Sequence, residues 1–102
     1  MKYLGLNHWY IKDNNLSISL MNFNVEIESV VKDNILGYVL RVVCSEKEIK
    51  EIDLKFNSLE EAINFTEEVI TDCWTFNEIT NIYNGMYNEY GVRKVKKKSL
   101  WK

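Results

Sequence analysis

The spacing of apolar residues changes at Asn57, from a period of two to a period of about 3.6. Before this position apolar and polar residues alternate, as in strands with one buried face, and after it apolar residues recur at helical spacing. The connections between the predicted strands are short, which favours antiparallel pairing. We therefore predict an α+β fold, in which an antiparallel β-meander of four to five strands is followed by two helices packed on one face.

Turn residues and one change of phase divide the first half into strands. The first predicted strand covers residues 3–11, and the Asp-Asn-Asn cluster at 13–15 favours a turn. The next alternation changes parity between Leu20 and Met21, which predicts a β-bulge or a strand break because a strand cannot slip by one residue without exposing its apolar face. A second turn is predicted at 32–34, a strand at 35–44, and a last strand around Leu54.

Two sequence signatures mark helix starts. Ser58 with Glu61, and Thr75 with Glu78, have the spacing of capping boxes. The first helix is predicted to carry an apolar stripe that runs to Cys73, and the second helix an aromatic stripe that ends at Tyr90. The aromatic residues assigned to the core are Phe23, Phe56, Trp74 and Phe76. The stripe Tyr83, Tyr87 and Tyr90 is assigned to core packing in preference to a contact surface.

Length and motif content exclude several classes of protein. A chain of 102 residues suits one domain, and we assign residues 1–92 to this domain and residues 93–102 to a basic tail. The sequence contains neither a membrane-length apolar run nor a signal-peptide pattern, so we expect a cytoplasmic protein. The single histidine, His8, and the absence of phosphate-loop, zinc and hydrolase motifs predict a protein that is not an enzyme and has no metal or cofactor. Cys44 and Cys73 are predicted to be buried thiols.

Charge is distributed unevenly along the chain. Residues 1–92 contain 7 basic and 15 acidic residues, a formal charge of −8, whereas residues 93–102 carry +6. Residues 57–92 contain seven acids and no Lys or Arg, although solvated helices usually interleave the two signs. We predict an acidic band opposite the apolar stripe of the first helix. Its members are Glu60, Glu61, Glu67, Glu68 and Asp72.

Two interpretations of the acidic band are open. Acids are favoured near helix N-termini, and the band is then an ordinary soluble face. Alternatively, carboxylates fixed along a helix mimic the charge spacing of a nucleic-acid backbone and are steered to a cationic groove on a protein partner.

The basic tail suggests a different activity. Clustered cations with a terminal Trp suit phosphate contacts and stacking on a base, so the tail predicts direct nucleic-acid binding, although it also fits a solubilising terminus that folds back onto the acidic helix of its own chain or of a second copy. The residues assigned to nucleic-acid binding are Arg93, Lys94, Lys96, Lys97, Lys98 and Trp101.

The sheet pattern that ends at Phe56, followed by a capped, acid-rich helix from Ser58 to Asp72, resembles the layout of small accessory proteins of bacteriophages and mobile elements, among them anti-CRISPR proteins. The excess of Asn, Ile and Lys follows AT-rich codons, which favours a bacterial or phage origin. The resemblance implies a non-catalytic inhibitor that binds a Cas nuclease, often over its DNA-binding surface. The basic tail departs from the strongly acidic pattern of DNA mimics.

The leading hypothesis is therefore a cytoplasmic protein-binding inhibitor or modulator of a nucleic-acid-handling enzyme in a bacterial host, acting through the acidic helical face as a monomer or homodimer. The alternative is a nucleic-acid-binding accessory protein that uses the basic tail. A third hypothesis is a self-assembling protein in which the acidic face of one copy meets the basic tail of another.

Overall fold

A computed structural model describes residues 9–45 and 49–94. It has five antiparallel strands in the order β1-β2-β3-β4-β5, followed by two helices, so the predicted α+β meander is confirmed. The bounds are as follows: β1 Tyr10–Lys12, β2 Asn15–Ser19, β3 Asn24–Lys32, β4 Ile35–Ser45, β5 Ile49–Phe56, α1 Leu59–Glu68, a 3-10 turn Ile70–Asp72, and α2 Phe76–Met86.

The alternation of each strand sets its register and its buried face. In the central rows of the sheet Ile27 lies opposite Leu40, and Leu40 lies opposite Leu54, so apolar side chains line up on one face. This face is buried under the helices, which contribute Ala62, Phe65, Ile79 and Tyr83 to the same core. The helices do not cover the other face of the sheet. Polar and charged residues such as Glu26, Arg41 and Asp53 lie on that face.

Both predicted turns are tight hairpins. Asp13 and Asn14 have φ of 52° and 68°, and Asp33 and Asn34 have φ of 57° and 65°. Two consecutive left-handed residues match the right-handed twist of a hairpin, and Asn and Asp tolerate this conformation better than other non-glycine residues.

The phase change in the sequence corresponds to a strand break. β2 ends at Ser19 and β3 begins at Asn24, and the Leu20 N–H donates to the Phe23 carbonyl over 2.8 Å in the loop between them. The break turns Phe23 into the core, where its ring stacks on Phe76 at 5.4 Å.

The first helix is shorter than predicted. It ends at Glu68, and the run Val69, Ile70 and Thr71 leads into the 3-10 turn Ile70–Asp72 instead of further α-helix. Three consecutive β-branched residues have reduced helix propensity, which accounts for the end of the helix at this point. The buried face of α1 also differs from the predicted apolar stripe. Phe65 is buried although it was outside that stripe, and Leu59 is exposed although it was part of it.

Trp74 and Tyr90 were assigned to the core but are exposed, and the first predicted strand is described only in part. Trp74 was assigned to the core but is 73% exposed, because it lies in the link between the 3-10 turn and α2. Tyr83 and Tyr87 are buried as predicted, whereas Tyr90 is exposed because α2 ends four residues before it. Of the first predicted strand only its end is described, as β1, and residues 1–8 lie outside the described part of the chain.

Within the described residues no helix is long and apolar enough to cross a membrane.

Candidate functional site

A shallow acidic groove of about 470 Å³ lies where the end of α1 meets the start of α2. Three residues with carboxylates and several apolar residues line it, and we refer to the former as its rim and to the latter as its floor. The lining residues are Glu68, Val69, Asp72, Cys73, Glu78, Asn81 and Ile82. We call this set the acidic groove.

Local structure positions the three rim carboxylates. Glu68 is the last residue of α1 and Asp72 is the last residue of the 3-10 turn, so the early end of α1 places both at one edge. Glu78 occupies the first turn of α2, where its Oε1 accepts from the backbone N–H groups of Trp74 (2.6 Å) and Thr75 (3.2 Å). The predicted capping box at Thr75 is therefore complete and fixes the third carboxylate.

Glu78 was not among the predicted site residues. The sequence assigned it to helix capping, which is correct, but its position beside Asp72 was not predicted. A signal was available: the link between the helices is short, so the first turn of α2 stays near the end of α1, and both line the groove.

The thiol of Cys73 lies at the floor of the groove. Burial raises its pKa, and the nearby charges of Glu78 and Asp72 raise it further. The thiol therefore stays protonated at neutral pH, which disfavours a nucleophilic role. Cys44 and Cys73 are both free thiols, and Cys73 is buried as predicted while Cys44 is half-buried.

Glu67 does not belong to an exposed acidic band, and this prediction was wrong. The side chain is buried, with Glu67 only 6% exposed, and its Oε2 accepts a hydrogen bond of 2.9 Å from Trp9 Nε1. A buried carboxylate with a specific donor stabilises the fold and has no free surface to offer a partner.

Glu61 is also committed to its own chain. Its Oε1 accepts a hydrogen bond from the Tyr87 hydroxyl and forms an ion pair of 3.4 Å with Arg93 Nη1. Burial raises the pKa of the Tyr87 phenol, and the hydrogen bond and charge of Glu61 add to this effect, so the phenol remains a donor at neutral pH. The predicted box at Ser58 is only half formed, because the Ser58 hydroxyl accepts from the Glu61 N–H while the Glu61 carboxylate is used elsewhere.

The structure thus divides the five predicted acids into three groups. Glu68 and Asp72 come together at the acidic groove. Glu60 is exposed in the first turn of α1, at the opposite end of that helix, while Glu61 and Glu67 are held by partners within the fold.

Two of the predicted nucleic-acid-binding residues also have partners in the chain. Arg93 pairs with Glu61 and lies over the Tyr87 ring at 5.9 Å, and Lys94 Nζ donates to the Asn84 carbonyl over 2.7 Å. Lys96, Lys97, Lys98 and Trp101 lie outside the described residues.

A second charged cluster lies on the open face of the sheet, around Arg41. This guanidinium is within 4 Å of four carboxylates on the two neighbouring strands, the shortest distance being 3.2 Å to Asp53 Oδ1. Burial by itself lowers the pKa of Arg41, but Asp53, Glu28 and Glu51 raise it above its ordinary value, so the guanidinium stays charged. The cluster carries an excess of negative charge, with one guanidinium among four carboxylates. Its carboxylates belong to Glu26, Glu28, Glu51 and Asp53.

Among residues 9–45 and 49–94, no three side chains of His, Cys, Asp or Glu are grouped so as to hold a metal ion. Comparison of the chain with protein-family models, with curated proteins and with solved structures finds no match.

Proposed function

We propose that the protein is a non-catalytic binding protein that inhibits or modulates a nucleic-acid-handling enzyme by occupying a basic surface of that enzyme with the acidic groove. The observation that carries the proposal is the combination of charge and shape in the helical layer. Residues 57–92 contain seven acids and no Lys or Arg, and three of these acids stand around a concave apolar floor.

The groove suits the chemistry of a lysine or arginine side chain. The aliphatic stem of such a residue packs on Val69 and Ile82, while its charged end reaches the rim carboxylates. Enzymes that handle nucleic acids present Lys and Arg in the channels that hold the phosphate backbone. A negatively charged surface is steered to such a channel and competes there with nucleic acid.

Glu68 and Asp72 are the residues expected to contribute most to binding. Both are exposed at the rim, and the hydrogen bonds described above do not occupy their carboxylates. Glu78 contributes charge, but its Oε1 is already shared between two backbone donors. The anti-CRISPR-like identity remains a prediction from the layout of the sequence.

The proposal is tested by capture from nuclease-treated lysate of an AT-rich bacterial host, using wild type, E68K/D72K and E60K/E89K. The two double variants change the charge by the same amount, but only the first alters the groove, because Glu60 and Glu89 are exposed elsewhere in the helical layer. We expect wild type and E60K/E89K to enrich the same nucleic-acid-handling enzyme, and E68K/D72K to lose it.

The captured enzyme is then purified and its activity on nucleic acid is measured with each protein added. Inhibition or modulation by wild type that weakens at least about tenfold with E68K/D72K, equivalent to roughly 1.4 kcal/mol of binding free energy, supports the proposal. Enrichment of no such enzyme, equal loss with both double variants, or recovery of nucleic acid alone from untreated lysate contradicts it.

A further inference from the structure

The outer edge of β5 is covered near the C-terminal end of the strand. One side of β5 pairs with β4 along its whole length, and the strand order makes its other side an edge of the sheet. On that side the Lys55 carbonyl accepts a hydrogen bond of 2.5 Å from the buried Tyr83 hydroxyl. The Asn57 N–H donates to the Gly91 carbonyl over 3.2 Å. Groups from α2 and from the loop after it therefore satisfy this end of the edge.

The middle of the edge is open. Backbone groups of alternate residues in an antiparallel strand point to opposite sides, and β5 pairs with β4 without a bulge, so Glu51 and Asp53 direct their N–H and C=O groups to the same side as Lys55. Among residues 9–45 and 49–94, no further strand pairs with this side, and the hydrogen bonds outside the regular elements do not reach these two residues. Such unpaired groups are a template for the addition of another strand.

Charge on the open face of the sheet determines which strand fits this edge. Glu51 Oε2 and Asp53 Oδ1 lie 3.9 and 3.2 Å from Arg41 Nε, and the two side chains are 55% and 49% exposed. Arg41 is also shared with Glu26 and Glu28, so one cation faces four carboxylates. A strand added to β5 places alternate residues directly opposite Glu51 and Asp53 on this face, where Lys or Arg would offset the excess of negative charge.

The same charges disfavour a second copy of this chain as the occupant. Antiparallel pairing of two β5 strands about Ile52 places Glu51 of each copy opposite Asp53 of the other. Registers centred on Glu51 or on Asp53 place identical carboxylates opposite each other. Like charges at such positions are destabilising, and charged residues on an edge strand are a common protection against association between identical sheets. The edge therefore selects a cationic strand over its own copy.

We infer that the β5 edge at Glu51–Asp53 is a docking site for an extended segment of another protein in which Lys or Arg alternates with apolar residues. The segment pairs antiparallel, as the strands of the sheet do, and exchanges main-chain hydrogen bonds with Glu51 and Asp53. Its cations lie on the open face, and its apolar residues lie on the helix side next to the half-buried Ile52. No residue of β5 lines the acidic groove, so this inference does not rest on the proposed function.

The first test measures binding of a fluorescein-labelled seven-residue peptide of alternating lysine and valine, blocked at both ends, by fluorescence anisotropy. The proteins are wild type, E51Q/D53N and the matched control E68Q/D72N, which removes the same charge at the acidic groove. We expect E51Q/D53N to weaken binding at least about fivefold and the control less than about twofold. Equal weakening by both variants, or a Kd for wild type above about 1 mM, would overturn the inference.

The second test changes the peptide and leaves the protein intact, so unfolding of a variant cannot mimic its result. In the inferred pairing the residues opposite Glu51 and Asp53 are lysines, whose backbone N–H groups donate to β5. N-methylation of two internal lysines removes these donors, whereas N-methylation of two valines alters N–H groups that face away. We expect the first peptide to bind at least about tenfold more weakly and the second to bind within about twofold of the parent peptide. Equal effects would show attraction by charge alone and contradict strand addition.

Amide hydrogen exchange of the full chain, followed by NMR, locates the contact. In the protein alone the amides of Glu51 and Asp53 should exchange faster than those of Ile52 and Leu54, which face β4. Addition of the alternating peptide should slow exchange at Glu51 and Asp53. Slow exchange at both residues without peptide would mean that the edge is already paired, and protection confined to residues 68–82 would place the peptide at the acidic groove. Either result would overturn the inference.

Discussion

Trp9 and Glu67 are joined by a buried hydrogen bond of 2.9 Å between residues 58 positions apart in the sequence. Trp9 directly precedes β1, and Glu67 lies in the last turn of α1. The bond therefore ties the beginning of the sheet to the helical layer. The N–H is the only polar group of the indole, and it requires a hydrogen-bond acceptor when it is buried. The Glu67 carboxylate is that acceptor.

Replacing Glu67 tests this contact. We expect Glu67→Ala to lower the free energy of unfolding by about 1–3 kcal/mol, because it leaves the buried indole N–H without an acceptor. Glu67→Gln keeps an acceptor oxygen and should cost less than Glu67→Ala. Urea denaturation followed by circular dichroism measures both, and Glu60→Ala, at an exposed position of the same helix, serves as the control.

A double-mutant cycle with Trp9→Phe separates the hydrogen bond from the packing of the indole. A coupling energy above about 0.5 kcal/mol between positions 9 and 67 is expected for residues in direct contact. Additive effects of the two substitutions would mean that the hydrogen bond contributes nothing to stability.

Gly91 and Gly85 form a matched pair for a second prediction. Gly91 has φ of +80°, and a Cβ added there would lie 2.5 Å from the Lys55 carbonyl oxygen and 2.7 Å from Phe56 Cα. Gly85 lies inside α2, and a Cβ added to it would meet nothing within 4 Å. We expect Gly91→Ala to destabilise by more than about 1 kcal/mol and Gly85→Ala to stabilise by roughly 0.5–1 kcal/mol.

Thermal unfolding measures this difference. A gain of about 1 kcal/mol corresponds to a rise in Tm of roughly 4–8 °C for a domain of this size. A fall in Tm with Gly85→Ala, or no change with Gly91→Ala, would contradict the geometry of the respective position.

The sequence predicted most of the fold because its local signals agree with its tertiary structure. The Asp-Asn turns, the parity change at Leu20 and the capping residue Thr75 are each local features with few alternative conformations. The end of α1 was harder to predict, since helix propensity competes with packing over the β-branched run that begins at Val69.

Glu67 shows why the candidate site was only partly predictable. The residue follows Ile63 by four positions and precedes Ile70 by three, so its position belongs to the apolar stripe of the helix. Its charge was taken as evidence of exposure, but a hydrogen-bond donor that faces a carboxylate offsets part of the large cost of burying it. That donor, Trp9, is distant in sequence, and helix periodicity cannot reveal it.

Arg41 is predicted to offset repulsion among the four carboxylates around it. Arg41→Met leaves Glu26, Glu28, Glu51 and Asp53 without that shared cation, and we expect a loss of about 1 kcal/mol in the free energy of unfolding at low salt. The loss should shrink as NaCl rises from about 0.01 M to about 1 M, over which the Debye length falls from roughly 30 Å to roughly 3 Å.

Arg41→Lys is the control for this measurement, because it keeps the charge but not the forked geometry of the guanidinium, and an intermediate stability is expected. A deficit in Arg41→Met that does not change with salt would assign the role of Arg41 to packing of its alkyl chain.

The buried phenols predict a loss of stability at alkaline pH. Burial raises the pKa of Tyr83, and burial together with the hydrogen bond to Glu61 raises the pKa of Tyr87. In the unfolded chain both phenols have their ordinary pKa near 10, so above that pH the unfolded state binds fewer protons than the folded state. The stabilising contribution is complete below about pH 10 and is lost as the pH rises above it, by up to about 1.4 kcal/mol per pH unit for each phenol.

Urea denaturation at a series of pH values between about 8 and 11 tests this prediction with Tyr87→Phe and Tyr90→Phe. Tyr87→Phe should make the decline less steep, and Tyr90→Phe, at a residue that is 71% exposed, is the matched control for the removal of one hydroxyl group. Cys73 and Tyr83 are retained in both variants, so their titration is common to all curves and the difference between curves reports on Tyr87. If the curves of wild type and Tyr87→Phe stay parallel from pH 8 to 11, the Tyr87 phenol is not protected by the fold, and its contact with Glu61 does not persist in solution.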